Sequence, residues 1–322
     1  MIYMDFSWEY FYMLFFFISF FFLFLTVGVG FFTVFERKMM GSYMSRMAPN
    51  KIGILGLLQP FSDALKLMSK EFLYPLLSNL YLYLTAPIFM FWGALMIWLS
   101  MVEVFNEWMS MSYCYLYLFC IMSLNVYIIL ISGWMSKSMY SMESSVRSVA
   151  QSVSYEVNLI FIMLIFFLMI EGMSFFKIYE MQGGVYYIFD FFIIFFFTLL
   201  VFLAELNRSP FDLLESESEL ISGYNLEYGG MMFGMYFMSE NLMIIFWSMI
   251  LVFFFFGGGM MSYMFFFKVL LMLVIFIWYR MIYPRYRYDK LMEMMWVGFL
   301  LFFLFLFLYI YGIKFLYFSV MM

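Results

Sequence analysis

The chain has 322 residues, 67% hydrophobic and 11% charged, with 16 Lys and Arg, 21 Asp and Glu, no His and a formal net charge of −5. Soluble domains are roughly half apolar and about a quarter charged, so this chain has too little polar surface to face water, and lipid must be its main solvent. The composition also argues against nucleic-acid binding, a His-based metal site, and an iron–sulfur or disulfide framework built from two cysteines that form no CxxC pair.

Eight apolar runs are long enough to cross ~30 Å of hydrocarbon, which takes about 20 residues. They lie near 10–34, 80–101, 114–134, 157–176, 185–205, 236–257, 262–283 and 295–315. They predict an all-α integral membrane protein, a bundle of about eight transmembrane helices with long polar loops on one side, forming a single membrane domain over 1–322. Ahead of the first run, Met1 to Tyr10 carry Asp5 and Glu9 but no Lys or Arg, so no cleavable basic leader is expected. After it, residues 60–71, PFSDALKLMSKE, set Phe61, Leu65 and Met68 on one helical face and Asp63, Lys66 and Lys70 on another. That pattern predicts a short amphipathic helix at the interface.

Pro87 sits early in the second run and can kink it. Cys114 and Cys120, in the third, read as buried small hydrophobes. Segment 135–156 reads as a polar loop, and Asp190 as a water-facing residue early in the fifth span. Segment 206–235 is long and acidic. Gly257, Gly258 and Gly259 read as a tight turn between spans six and seven, and 284–294 as the last polar loop. Thirteen of the 16 cations fall in or beside 36–79, 135–156, 206–235 and 284–294. Basic loops stay on the side from which insertion occurs, so these loops share one face and both termini take the other. The absence of an internal repeat argues against an inverted-repeat transporter.

Six carboxylates fall between Glu205 and Glu227, namely Glu205, Asp212, Glu215, Glu217, Glu219 and Glu227, with Glu156 and Glu240 at neighbouring spans. A charge at bilayer depth costs at least ~2.5–3.5 kcal/mol, and several together must share protons or water. For Glu215, Glu217 and Glu219 a solvated acidic loop competes with a functional role. Glu156, Glu205 and Glu240 adjoin long apolar runs, which favours proton handling. A cationic group, Arg37, Arg280, Arg285 and Arg287, together with Asp63 and nearby aromatic residues, can line the mouth of a site for an amphipathic ligand. Lys38, Lys51 and Lys290 read as anchors to lipid headgroups. Phosphate-binding loops, a dinucleotide fingerprint and a Ser/His/Asp set are all missing from the sequence.

Four polar segments carry a family resemblance: FERKMMGSYMSRMAPNKIGILGLLQPFSDALKLMSKE at 35–71, SVRSVAQSVSYE at 145–156, LAELNRSPFDLLESESELISGYNLEYGG at 203–230 and WYRMIYPRYRYDKLM at 278–292. In order and spacing they resemble the subunit 1 family of mitochondrial NADH:ubiquinone oxidoreductase, respiratory complex I. The 37 Met residues suit the same origin, because many animal mitochondria read an additional codon as Met. The resemblance implies a multi-pass protein of the mitochondrial inner membrane, its polar loops on the matrix side and its first span long and tilted. It implies a ubiquinone chamber served by Arg37, Asp63, Phe237, Arg280 and Arg285. It further implies a proton or charge route through Glu156, Glu205, Asp212, Glu215, Glu217, Glu219, Glu227 and Glu240.

Ubiquinone would be the substrate, with no cofactor or metal held by this chain and with FMN and iron–sulfur clusters on partner subunits. Partners would be the other complex I subunits of the membrane and peripheral arms, together with membrane lipids. Departures from the family pattern are Met47 and Ala48 before Pro49, Met142 to Ser145 before Val146 with the additional Glu143, and Asp190. A membrane subunit of an ion-translocating hydrogenase and a stand-alone proton-coupled transporter are the other two classes the sequence leaves open.

Overall fold

The computed structural model describes residues 8–105, 113–182, 186–212, 223–225, 227–257 and 262–321. In hydrocarbon a backbone amide finds no water to bond, so apolar runs fold into helices that satisfy their own N–H and C=O groups. Among the described residues seven helices are long and apolar enough to cross a membrane, and one shorter apolar helix accompanies them. The chain divides into two compact units, Met1–Ser69 and Lys70–Met322.

The first unit holds α1 (Trp8–Tyr43) and α2 (Gln59–Ser69). With 36 residues, α1 is about 54 Å long at 1.5 Å per residue, well beyond the ~30 Å that hydrocarbon requires. Its last turns therefore carry Glu36, Arg37 and Lys38 on helix rather than in a loop. The predicted amphipathic helix is α2, and its apolar face, Phe61, Leu65 and Met68, is exposed. Phe31 of α1 meets Phe61 edge to face at 6.2 Å. The intervening turn needs glycine at Gly56, where φ is +76° and a Cβ would run into the Pro49 carbonyl.

The second unit comprises α3 (Leu80–Phe105), α4 (Cys114–Met135), α5 (Met139–Ile170), α6 (Phe175–Met181), α7 (Tyr187–Asp190), α8 (Phe192–Glu205), α9 (Gly230–Phe255), α10 (Tyr263–Ile282), α11 (Tyr288–Glu293) and α12 (Leu300–Met321). A π-helical turn, Met294–Phe299, joins α11 to α12. Helix α3 packs on α4 and α9, α4 on α5, α5 on α8 and α12, and α9 on α10. Lipid tails are as apolar as the core, so these contacts rest on close fit and hydrogen bonds rather than on exclusion of water. Gly133 of α4 lies where a Cβ would collide with Ser145 and with the Ser141 carbonyl of α5. At the other end of the bundle Phe166 of α5 stacks on Phe254 of α9 at 4.6 Å.

Several expectations change. Segment 135–156 is not a loop, because α5 starts at Met139 and runs for 32 residues. Its polar residues form a buried stripe, Ser141, Ser144, Ser145, Ser148, Gln151, Ser152, Ser154, Tyr155 and Asn158. Serine hydroxyls there donate to carbonyls one turn back, as Ser148 does to Ser145 at 2.7 Å and Ser154 to Gln151 at 2.7 Å. That is how a Ser-rich stretch stays helical without water.

The fifth predicted span divides into α7 and α8, and the 14 residues of α8 reach only about 21 Å. Asp190 ends α7 and is exposed. Helix α3 runs through Pro87 without a break in its assigned range. Cys114 is buried and donates its thiol to the Ser100 carbonyl, but Cys120 is exposed, because it sits on the outward face of α4. Of the predicted glycine turn, Gly257 has φ +59°, while Gly258 and Gly259 lie outside the described residues. Lys268, within α10, donates to the carbonyls of Phe256 and Gly257 just beyond α9, at 2.8 and 3.3 Å.

Candidate functional site

The second unit contains a cavity of about 60 Å³ lined by α3, α4, α5, the end of α8, and α9. One ordered water needs roughly 10–15 Å³ of such space together with polar partners, so the cavity has room for a short file of waters. Met90, Ala94, Met122, Val126, Ile129, Leu206 and Met243 form apolar walls, and Asn125, Ser152, Glu205, Asn207 and Glu240 supply the polar groups.

Glu205 arrives here because it is the last residue of α8. Past it the chain turns sharply, with Asn207 in the left-handed region at φ +49°, a conformation asparagine tolerates better than most residues. The Asn207 amide closes the turn on the Ala204 carbonyl at 3.2 Å. Glu156, from α5, lies close enough to Glu205 for their charges to interact, as does Tyr155. One carboxylate oxygen of Glu205 and one of Glu156 are buried without a hydrogen-bond partner. Glu205 and Glu240, far apart in sequence, thus share one internal space, and Glu156 lies within electrostatic reach of Glu205.

The chain beyond Glu205 is held by Gln151 of α5. Its amide nitrogen donates to the Phe211 carbonyl at 3.0 Å and to the Ala204 carbonyl at 3.5 Å, clasping both ends of the turn that includes the cis Ser209–Pro210 peptide. Phe211 also stacks on Tyr286 at 5.6 Å, and the Tyr286 amide donates to the Pro210 carbonyl at 3.0 Å. Arg208 donates to the Asn241 side-chain oxygen at 2.9 Å, and Asn241 donates to the Phe237 carbonyl at 2.7 Å. A guanidinium is thereby fixed on Asn241, the residue that follows Glu240 on α9. Asp212 is buried, at 7% exposure.

At the far end of the acidic segment the Tyr83 hydroxyl donates to the Glu227 carbonyl at 2.6 Å and the Tyr228 hydroxyl donates back to the Tyr83 carbonyl at 3.2 Å, their rings stacked at 4.3 Å. Burial, with Tyr236 and Tyr83 close by, pushes the Tyr228 phenol well above its ordinary value, so it stays a neutral donor. Glu215, Glu217 and Glu219 lie outside the described residues.

In the first unit Arg37 and Asp63 form an ion pair at 3.0 Å, and Gln59 donates to the other carboxylate oxygen of Asp63 at 2.9 Å. In the second unit Phe237 is half-buried on α9, Arg280 half-buried in the last turn of α10, and Arg285 exposed beyond it. No group of three or more His, Cys, Asp and Glu among the described residues is placed to hold a metal ion.

The profile of the NADH dehydrogenase family matches residues 16–311. The chain belongs to that family. It is 43% identical over 279 residues to NADH-ubiquinone oxidoreductase chain 1 of Aedes aegypti, covering 85% of this chain and 87% of the relative. The protein of that name in Locusta migratoria is 42% identical over 302 residues, 91% and 93% of the two chains. That of Apis mellifera ligustica is 37% identical over 288 residues, 89% and 93%. This NADH dehydrogenase family member is a multi-pass protein of the mitochondrial inner membrane.

The acidic residues of this family member were legible as a cluster, but the groups that position them were not. Asn125 is the one amide in the apolar run 114–134, and that isolation was the available signal. Gln151, Asn207, Asn241 and the Tyr83–Tyr228 pair looked like ordinary polar or aromatic residues until the fold brought their partners to them.

Proposed function

We propose that this chain is the membrane-arm subunit of a proton-pumping NADH:ubiquinone oxidoreductase that serves the quinone chamber and begins the route carrying charge away from it. The chain is part of an enzyme whose redox centres reside elsewhere. Electrons from NADH arrive through flavin and iron–sulfur clusters on partner subunits of the peripheral arm. Arg37, Asp63, Phe237, Arg280 and Arg285 serve the chamber, the Arg37–Asp63 pair offering a donor and an acceptor to a polar headgroup and Phe237 an apolar surface. Residues 1–322 act as one membrane domain among the other complex I subunits and the surrounding lipid.

Quinone reduction takes up two electrons and two protons, and a charge appearing in a low-dielectric space is felt strongly by ionisable groups nearby. Glu156, Glu205 and Glu240, followed by Asp212, Glu215, Glu217, Glu219 and Glu227 in the acidic segment, pass that change on. A proton gained by one carboxyl alters the proton affinity of the next. The observation that supports this reading is the cavity with Glu205 and Glu240 in its wall and Glu156 within electrostatic reach of Glu205. Carboxyl groups brought from two different helices into the wall of one internal space, with a third in electrostatic reach, suit relay better than anchoring.

Glu205→Gln and Glu240→Gln test it. Each keeps shape and removes the exchangeable proton, so each should lower coupled proton pumping by about tenfold, equivalent to ~1.4 kcal/mol on the limiting step. The complex should still assemble. Normal pumping in both variants overturns the proposal.

A further inference from the structure

Asn125 lies in the middle of α4, 6% exposed, and lines the same cavity as Glu205 and Glu240. Its side-chain oxygen is buried without a hydrogen-bond partner. The fold makes particular room for it. At Gly93 on α3 a Cβ would collide with the Asn125 side-chain oxygen, so any larger residue there would displace the amide. A buried amide oxygen without a donor is costly, and a span has no shortage of apolar residues to fill such a position. An amide carries both donors and an acceptor and does not titrate, so it can orient a water without competing for the proton.

We propose that Asn125 is a positioning residue that orders water between Glu205 and Glu240, with Gly93 providing the space its amide requires. The inference rests on the relay reading above. In it, a proton leaves the carboxyl of one glutamic acid for the nearest water, each water in the file passes one proton onward, and the last delivers one to the other carboxylate. No water is consumed, and Asn125 neither gains nor loses a proton. Ser152, also in the wall, cannot replace it as a donor to that file, because its hydroxyl is committed to the Val149 carbonyl at 3.0 Å. The remaining polar wall residue, Asn207, is constrained by the turn at the end of α8.

The test compares Asn125→Ser with Asn125→Ala in the assembled enzyme, reconstituted in sealed liposomes. The two truncations leave nearly the same space, so loss of packing is common to both and only a hydroxyl, whose oxygen can accept from a water as the Asn125 side-chain oxygen would, separates them. Coupled proton translocation should be slower in the alanine variant than in the serine variant by roughly 2- to 12-fold, the worth of one hydrogen bond in the limiting step. Protons moved per NADH oxidised should fall in the alanine variant.

Equal pumping by the two variants, whether both normal or both impaired, overturns the role of Asn125. If a truncation does not assemble, the isosteric, non-titrating pair Asn125→Thr and Asn125→Val gives the same contrast: pumping faster in the first than in the second supports the role, and equality ends it. Glu205→Gln and Glu240→Gln are measured alongside. If those two pump normally, the relay reading itself fails. If they are impaired while the Asn125 variants are alike, only the present inference fails.

Discussion

Tyr83 and Gln151 act at the two ends of the acidic segment, Tyr83 through one 2.6 Å bond to the Glu227 carbonyl and Gln151 through its grip on Ala204 and Phe211. Replacing Gln151 with Leu leaves two carbonyls without that donor inside the bundle, a loss of about 1–3 kcal/mol. The expected outcome is a lower temperature of half-inactivation for the assembled enzyme. Tyr83→Phe removes a single bond and keeps the stacked ring, so its effect should be milder, about 0.5–1.5 kcal/mol. The Arg37–Asp63 pair is a different case. Both side chains are nearly half exposed, at 48% and 40%, and exposed ion pairs contribute only ~0–1 kcal/mol to stability. Asp63→Asn should therefore leave assembly intact. If the pair serves the quinone headgroup, the variant should raise KM for ubiquinone more than it lowers kcat. An unchanged KM would remove Asp63 from the chamber.

Two helix ends in the second unit are held by lysines from other helices, and their behaviour belongs to the element. Lys268 of α10 caps the chain beyond α9, and Lys314 of α12 donates to the Leu168 carbonyl at 2.5 Å and pairs with Glu171 at 2.8 Å where α5 ends. The last carbonyls of a helix lack intrahelical donors, and a cation there also meets the negative end of the helix dipole. Gln182 adds a second donor at the α9 end, to Phe254 at 2.6 Å. Lys268→Met should lower thermal stability by about 1–3 kcal/mol, and Lys268→Arg should recover part of it. Equal loss in both would mean that the charge is immaterial and only the shape of the lysine side chain counts. Helix α5 shows why element boundaries were hard to read here. Its first five turns are as polar as a loop, and only the regular burial of Ser144, Ser148, Gln151 and Tyr155 reveals a helix.

For the molecule as a whole, charge placement predicts an orientation. Lys137 lies in the cation-rich set and Lys177 outside it. A membrane-impermeant amine reagent applied to inner-membrane vesicles of the two orientations should reach Lys177 from the face opposite to the one that exposes Lys137; labelling of both from one face would refute the assigned topology. The sequence by itself settled that this is a helical, multi-pass membrane protein, which residues are acidic beside apolar runs, and, through four polar segments, its family. Composition and run length suffice for that, because hydrocarbon admits few other folds. It could not settle that 135–156 is helix, that Lys268 leaves its own helix to cap another, or that Asn125 shares a cavity with Glu205 and Glu240. Those depend on which faces of α3, α4, α5, α8 and α9 meet. In lipid that choice is made by close packing and buried hydrogen bonds between residues far apart in the chain, which no local pattern records.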